Sequence, residues 1–79
     1  MIVKVLFFGA TADVVGGREM EVELADGVRA SDALTVITRQ FPALTRHSLL
    51  FAVNQEYAKG DEVIGESDEL AVFTAVSGG

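Results

Sequence analysis

The last two residues of this 79-residue chain, Gly78 and Gly79, have the clearest chemical potential in the sequence. A carboxylate at the end of a chain is unreactive until it is activated, for example as an acyl-adenylate. An activating enzyme must draw the last residues into a narrow channel, and glycine suits that path because it has no side chain beside the carbonyl. Val76 and Ser77 would form the hinge of such an arm. A frayed terminus without function would also end this way, and the tail by itself leaves the two interpretations balanced.

The other polar residues form no recognised catalytic or metal-binding pattern. His47 is the only histidine and there are no cysteines, so a transition-metal site would need carboxylates around one imidazole. Glu19, Glu21 and Glu23 alternate along one predicted strand, about 6.6 Å apart, which is too far to share one ion easily. The denser acidic segment 61–69 lacks the spacing of a calcium loop. We interpret the first group as a solvated strand face and the second as turn chemistry, with a docking role for some of these charges left open.

Motifs for a serine nucleophile or a phosphate site are also missing from the sequence. None of the four serines lies in a G-x-S-x-G elbow. The early glycines belong to neither a G-K-[ST] nor a G-x-G-x-x-G pattern. We therefore predict that Gly9, Gly16 and Gly17 are flexible turn positions.

The composition favours a cytoplasmic domain that binds protein partners. Its net charge is −6 with only two lysines and four arginines, which is unfavourable for neutralising a phosphate backbone but suits a basic docking surface. The lack of cysteine excludes a disulfide framework and fits a reducing compartment. No segment approaches the ~20 apolar residues that a membrane span needs. The opening apolar run contains Lys4, and a strand explains it better than a signal peptide does. We expect no nucleic acid, membrane, metal or bound cofactor.

The hydrophobic pattern begins with two strands joined by a loop. Residues 2–8 are apolar except for Lys4, as in a strand that is covered on both faces. A glycine-punctuated loop follows at 9–18. In residues 19–25 apolar and acidic side chains alternate, which predicts a strand with one face in water, nearer the edge of the sheet. The two strands are expected to pair antiparallel.

The period then changes to that of a helix. Five apolar residues fall on one helical stripe: Ala30, Ala33, Leu34, Ile37 and Phe41. Arg29 or Ser31 is the expected N-cap, and Pro42 ends the helix. The remaining pattern predicts a 3₁₀ or irregular connection at 43–48, a strand at 49–54, a turn at 54–56, a weak strand at 62–64, a turn at 66–69 and a last strand at 70–76.

This order predicts an α+β domain of the β-grasp, or ubiquitin-like, class. The two continuous apolar runs are the first and last strands, so we place them side by side and parallel at the centre of a mixed sheet. One main helix covers one face of that sheet. Residues 1–75 would form the domain, and residues 76–79 a flexible tail that leaves a firmly held strand.

Three segments carry a resemblance to a known family. The stretches "KVLFFGATADVVG", "AVNQEYA" and "DELAVFTAVSGG" together resemble the small subunit of molybdopterin synthase, nearly from end to end. This resemblance implies that a ubiquitin-activating-type enzyme uses ATP to adenylate Gly79, and that a sulfur donor protein converts it to a thiocarboxylate. The tail, Val76 to Gly78, would enter the large subunit, where the sulfur passes to a pyranopterin precursor. Phe73 would occupy the family's aromatic interface position, followed by Thr74 and Ala75.

The resemblance further implies a sulfur-donating subunit that is not catalytic alone, in an assembly of two small and two large subunits. Two departures bear on the partner. The family usually has Pro-Pro where this chain has Thr74 and Ala75, so the exit of the tail is expected to be looser. The Arg-Glu of the family's first loop is Ala12-Asp13 here, which puts any contact of that arginine in doubt. Alternatives are a sulfur carrier for thiamine or another thio-metabolite, a ubiquitin-like protein modifier, and a plain interaction module.

Overall fold

The structure, a computed structural model, describes residues 1–75 and contains five strands, two α-helices and one 3₁₀ helix. The predicted tail, residues 76–79, lies outside the described residues. The elements in chain order are β1 (Ile2–Phe7), α1 (Ala10–Val15), β2 (Glu19–Glu23), α2 (Ala30–Gln40), the 3₁₀ helix (Pro42–Arg46), β3 (Leu49–Val53), β4 (Glu56–Tyr57) and β5 (Glu69–Thr74). None of the described helices is both long and apolar enough to cross a membrane.

The strands form one mixed sheet in the order β2-β1-β5-β3-β4. β1 and β5 run parallel at its centre, and every other neighbouring pair is antiparallel. This confirms the β-grasp prediction, including the central first and last strands and the position of β2 at an edge. Since β5 is hydrogen-bonded on both sides, the strand that leads into the predicted tail is held firmly within the sheet.

The core lies between one face of the sheet and α2. The fully buried side chains of β1 are Val3, Val5 and Phe7, and those of β5 are Leu70 and Val72. From the helix and its surroundings the core receives Ala30, Ala33, Ile37, Leu44 and Ile64. The predicted helical stripe therefore faces the core, and α2 ends at Gln40 with Phe41 as its C-cap, immediately before Pro42 as predicted.

The expectation that β1 is covered on both faces is wrong. Its side chains alternate between buried and exposed, and Ile2 and Phe8 are about half exposed, at 47% and 52%. Within residues 1–75 no element packs over the second face of the sheet. The continuous apolar run therefore combines a core face with an exposed apolar face, which a sequence pattern alone does not separate from full burial.

The predicted loop at 9–18 contains the short helix α1, which is a second correction. Gly9, at φ 59°, is the N-cap of the helix and Gly16, at φ 80°, is its C-cap. These glycines therefore lie at the two ends of the helix. Thr11 explains why the segment folds back. Its buried hydroxyl lies 2.7 Å from the carbonyl oxygen of Phe8 and 2.8 Å from that of Val72, and it accepts the Phe8 N–H at 3.0 Å.

The fourth strand is also misplaced by the sequence pattern. In place of the predicted strand at 62–64 there is a single bridge between Arg29 and Val63. The strand that pairs with the outer edge of β3 is Glu56–Tyr57, which begins inside the turn predicted at 54–56. Asn54 and Gln55 form a two-residue hairpin turn with φ of 51° and 69°. The positive φ at both positions matches the type I′ turn that twisted hairpins prefer. A two-residue strand is too short for period-two patterning to reveal it.

Candidate functional site

The face of the sheet opposite α2 carries most of the exposed apolar side chains on the strands, and we call it the open face. Its strand positions follow from the register, in which Leu6 pairs with Ala71, Ala71 with Ala52, and Ala52 with Tyr57. The apolar members of the open face are Leu6, Phe8, Leu50, Ala52, Tyr57, Ala71 and Phe73. An exposed apolar patch of this kind is typical of interaction surfaces.

A groove of about 370 Å³ crosses the open face. Its floor is made by the small side chains of Ala52 and Ala71, which are directly opposed on neighbouring strands. Aromatic rings form the walls: Phe8 directly follows β1, and Tyr57 and Phe73 lie with ring centroids 5.8 Å apart. Tyr57 is 74% exposed, so the wall it forms projects from the sheet. Its volume and mainly apolar lining fall within the range of pockets that bind apolar groups.

One end of the groove is polar, because Gln55 and Glu69 line it. Glu69 is also the cross-strand neighbour of Lys4 on β1. Lys4, however, forms its ion pair with Glu19, at 3.2 Å between Nζ and Oε1. Within residues 1–75 no cation forms an ion pair with Glu69.

A second groove, of about 320 Å³, lies on the other side of Phe8. Ala12 of α1 lines it together with Arg18 and Glu19 at the start of β2. Ala12-Asp13 stands where the resemblance has Arg-Glu. Of these two residues only Ala12 lines the groove, and it contributes a methyl group. Arg18 is the guanidinium that lines it.

The predicted interface residues occupy both sides of β5. Phe73 lies in the groove wall of the open face, whereas Thr74 alternates to the opposite face and pairs with Leu49. Ala75 is exposed, and its N–H donates to the carbonyl oxygen of Ser48 at 3.0 Å. The β5–β3 ladder therefore continues to the last described residue by a hydrogen bond that proline at this position would remove. Val76, Ser77, Gly78 and Gly79, the predicted tail residues, lie outside the described residues.

The "VNQEYA" segment fixes the start of β5. The backbone N–H of Asn54 donates to the carbonyl oxygen of Glu69 at 2.8 Å, and the Glu69 N–H donates back to Asn54 Oδ1 at 2.9 Å. Asn54 Nδ2 also donates to Asp68 Oδ1 at 2.9 Å, while the Gly65 N–H donates to Asp68 Oδ2 at 2.7 Å. We call these contacts the Asn54 clamp. The Asn54 amide, followed by the Gly65 N–H, lowers the pKa of Asp68 below its usual value because both stabilise the carboxylate.

Two carboxylates of the acidic segment 61–69 accept hydrogen bonds from backbone N–H groups in turns, as predicted for this segment. Besides Asp68, the carboxylate of Glu62 accepts the N–H groups of Lys59 and Gly60 at 2.7 and 2.8 Å, and these bonds lower the pKa of Glu62. Among the described residues no group of three or more acidic, histidine or cysteine side chains could hold a metal ion. His47 is exposed at the end of the 3₁₀ helix.

Among the residues that line the groove, only Phe73 is an interface candidate from the sequence. Phe8 lies in the predicted first strand and Tyr57 follows the predicted turn at 54–56, and both belong to segments that carry the resemblance. The signal that could have found them is the second face of the first strand, where Leu6 and Phe8 are two residues apart and cannot lie on the core side with Phe7. The sequence does not distinguish Ala52 and Ala71 as groove residues, because alanine occurs as readily in a buried core as on an open face.

Comparison with known proteins places the chain in a family. The model of the ThiS family matches residues 5–79. The chain belongs to the ThiS family. It is 37% identical over 83 residues to the molybdopterin synthase sulfur carrier subunit of Chlamydomonas reinhardtii, with all of both chains covered. It is 34% identical to the human protein of the same name, with 98% of this chain and 93% of that protein covered.

Solved structures share the fold along the whole chain. SAMP1 from Haloferax volcanii superposes with a TM-score of 0.87 at 29% identity, and both chains are covered completely. A putative molybdopterin converting factor subunit 1 from Pyrococcus furiosus gives a TM-score of 0.88 at 27% identity, covering 96% of this ThiS-family chain and 99% of the other. A chain in the Helicobacter pylori complex of molybdopterin-converting factor subunits 1 and 2 has a TM-score of 0.70 at 20% identity, with both chains covered completely, and shows the fold alone.

Proposed function

We propose that this chain is the sulfur-carrier subunit of a molybdopterin synthase and works in the cytoplasm. The observation that carries the proposal is the full-length similarity to relatives of that name, at 37% and 34% identity. The sequence ends in the Gly-Gly that such chemistry requires. The apolar groove of the open face would serve for docking, and it includes residues of β5, the strand that leads into the predicted tail.

The proposed chemistry takes place at the carboxyl group of Gly79. An activating enzyme would join this carboxylate to the AMP part of ATP and release pyrophosphate. Sulfur delivered by a donor at the oxidation level of sulfide would then bond to the carbonyl carbon and displace AMP, which leaves a thiocarboxylate. In the large subunit the sulfur would bond to the pyranopterin precursor, and water would restore the carboxylate when the carbonyl–sulfur bond is cleaved. Each cycle thus consumes one activated carboxylate and delivers one sulfur atom.

In this scheme the chain is a co-substrate and not a catalyst on its own. Its described residues would dock the partner through the open face and hold β5 in register, so that Val76, Ser77 and Gly78 extend toward the partner's active site. The acids, bases and precursor pocket would belong to the large subunit. We expect an assembly of two small and two large subunits, with no cofactor bound by this chain.

The first test is the intact mass of the chain isolated from its native host without thiol-scavenging reagents. A species heavier by the exchange of one oxygen for one sulfur, mapped to Gly79, is the expected result. A chain that stays a free acid after incubation with ATP, the host's activating enzyme and a sulfur source would contradict the proposal. Deleting Gly78 and Gly79 should abolish sulfur transfer and leave the fold intact, whereas a plain interaction module would keep its function.

A second candidate is a ubiquitin-like protein modifier, favoured by the similarity to SAMP1, the small archaeal modifier protein 1. A modifier would be recovered joined through Gly79 to lysines of other proteins. A carrier for thiamine synthesis would instead form the thiocarboxylate but give no molybdopterin with the large subunit. Mass spectrometry of lysine conjugates and reconstitution with the large subunit separate the three outcomes.

A further inference from the structure

We propose that Thr11 is a positioning residue for the activation of Gly79. Its hydroxyl ends the ladder between β1 and β5 at Val72, so that the residues just before the predicted tail are not bonded to the β1 side. The inference rests on the proposed function and names a residue that acts on it from within the fold. The sequence gave Thr11 no such role, because it lies in a segment predicted as a loop.

The Thr11 side chain engages the backbone groups at the point where β1 and β5 separate. It is fully buried, and it is the single buried polar side chain within residues 1–75. Its hydroxyl hydrogen is shared between the carbonyl oxygens of Phe8 and Val72, which lie 2.7 and 2.8 Å from Oγ1. Oγ1 also accepts the Phe8 N–H at 3.0 Å, and that N–H reaches the Val72 carbonyl oxygen at 3.2 Å. One side chain thus engages both backbone groups of Phe8.

The backbone of Thr74 points toward the β1 side of β5. The Ala75 N–H donates to Ser48 on the β3 side, whereas the Val72 carbonyl oxygen accepts the Phe8 N–H on the β1 side. Because the backbone groups of successive strand residues point in opposite directions, Thr74 shares the direction of Val72. One further step of the parallel ladder would therefore join the Thr74 N–H to the Phe8 carbonyl oxygen.

This further step is not made, because Thr11 holds the acceptor. The Phe8 carbonyl oxygen already accepts the Thr11 hydroxyl at 2.7 Å and the Thr11 N–H at 3.3 Å. The pairing of β1 with β5 ends at Phe7 and Val72, and within residues 1–75 the Thr74 N–H makes no hydrogen bond. Proline at position 74, which the resemblance usually has, would end the ladder by removing the donor. In this chain Thr11 occupies the acceptor instead.

The early end of the ladder affects how the strand presents its terminus to an enzyme. In the described part of the chain, Thr74 and Ala75 are held on the β3 side alone, through the Ala75 N–H at 3.0 Å from the Ser48 carbonyl oxygen. This end of β5 therefore changes direction after the loss of one hydrogen bond rather than two. A bond from Thr74 to β1 would add its net cost to each entry of the predicted tail into a narrow channel.

Hydrogen exchange of the full chain tests the ladder directly. Thr11→Val keeps the shape of the side chain and removes the hydroxyl, which frees the Phe8 carbonyl oxygen to accept the Thr74 N–H. We expect the Thr74 amide to exchange about two- to tenfold more slowly, the factor of one net hydrogen bond. Thr11→Ser keeps the hydroxyl and should exchange as the wild type does. Thr35→Val is the matched control, because it removes an exposed threonine hydroxyl that bonds the Ser31 carbonyl oxygen in α2.

Pyrophosphate release with ATP and the host's activating enzyme tests the role in function. Thr11→Val should lower kcat/KM by about two- to tenfold. Adding Thr74→Pro to that variant removes the donor, so the extra bond cannot form and kcat/KM should recover. Proline is compatible with the sheet at this position, since the Thr74 N–H is not used on the β3 side. A second substitution would not repair a variant that had only lost structure.

The outcomes separate this inference from the proposed function. Unchanged Thr74 exchange in Thr11→Val would overturn the inference, as would a loss of kcat/KM that Thr74→Pro fails to restore or that Thr35→Val shares. A wild-type chain that releases no pyrophosphate would overturn the proposed function and the positioning role together, while exchange in the chain alone would still decide what ends the ladder. Circular dichroism establishes that each variant folds. Thr11→Ala also lacks the hydroxyl and replaces Thr11→Val in both measurements if the valine variant does not fold.

Discussion

Phe73 lies both on the open face and on β5, the strand that leads into the predicted tail. Its ring packs against Tyr57 on the open face and contributes nothing to the buried core. We expect Phe73→Ala to weaken binding to the large subunit by a few kcal/mol, typical of an aromatic hot spot, with little change in the free energy of unfolding. Calorimetric titration and urea denaturation measure the two effects. Val63→Ala is the control, since Val63 is 59% exposed but remote from the groove; equal affinities for the two variants would remove Phe73 from the interface.

Gly79 is expected to be sensitive to a single methyl group. Gly79→Ala places a Cβ beside the carbonyl that must be attacked and restricts the backbone angles with which the terminus can enter a narrow channel. We expect slower adenylate formation by the activating enzyme and an unchanged thermal midpoint. Pyrophosphate release with ATP and activating enzyme reports the first quantity. Release at the wild-type rate would contradict the steric argument.

Asp68 gives the fold an acid-sensitive contact. Because hydrogen bonds from Asn54 and Gly65 lower its pKa in the folded state, its stabilising contribution is complete above about pH 5, where the unfolded chain is also ionised. It is lost as the pH falls below the ordinary value of about 3.9 and through the lower folded pKa. The difference in unfolding free energy between the wild type and Asp68→Asn should therefore shrink on acidification. Urea denaturation at several pH values measures it, with Glu66→Gln as the charge control; a constant difference would refute the assignment.

At the scale of elements, the two turn residues of the hairpin between β3 and β4 are expected to respond in opposite directions to replacement by glycine. Both have positive φ, but only Asn54 uses its side chain, in the Asn54 clamp. Gln55→Gly should stabilise the protein by about 0.5 kcal/mol, because relief of left-handed strain exceeds the extra entropy of glycine. Asn54→Gly should destabilise it by about 1–2 kcal/mol through the lost hydrogen bonds. Urea midpoints that shift in the same direction for both variants would show that φ alone decides.

The elements also show what a sequence pattern resolves. Strands β1, β2, β3 and β5 and helix α2 were predictable, because each is long enough for period-two or period-3.6 patterning to show. The short helix α1 and the strand β4 were not. Helix α1 has six residues, fewer than two turns, and is held by a distant contact, the Thr11 hydroxyl at the carbonyl of Val72, while β4 has only two residues. Local patterning contains no information about such contacts.

At the scale of the whole molecule, the resemblance and the structure contribute different parts of the candidate site. The terminal glycines and Phe73 followed from sequence motifs. The groove did not, because its lining comes from β1, β3, β4 and β5, whose adjacency is set by the parallel β1–β5 pairing and the hairpin register. The false expectation of a doubly covered β1 concealed it. An apolar residue on an open face and one in a core look alike until the covering element is placed.

The net charge of −6 makes a last prediction about the rate at which the whole molecule associates. Carboxylates on the margin of the open face, such as Glu21 and Glu23, are exposed and remote from the groove, so they should steer a basic large subunit rather than hold it. Raising salt from about 0.01 M to about 1 M shortens the screening length from ~30 to ~3 Å. The association rate should fall steeply over that range, while the dissociation rate changes little.

A variant carrying both Glu21→Gln and Glu23→Gln distinguishes steering from contact. At low salt it should associate more slowly than the wild type, and at high salt the two should converge, because screening has already removed the long-range attraction. Its dissociation rate should equal that of the wild type, because steering acts on the encounter and not on the bound complex. Stopped-flow mixing with the large subunit measures these rates. An association rate that is independent of salt would show that the acidic balance of this chain serves solubility and has no part in recognition.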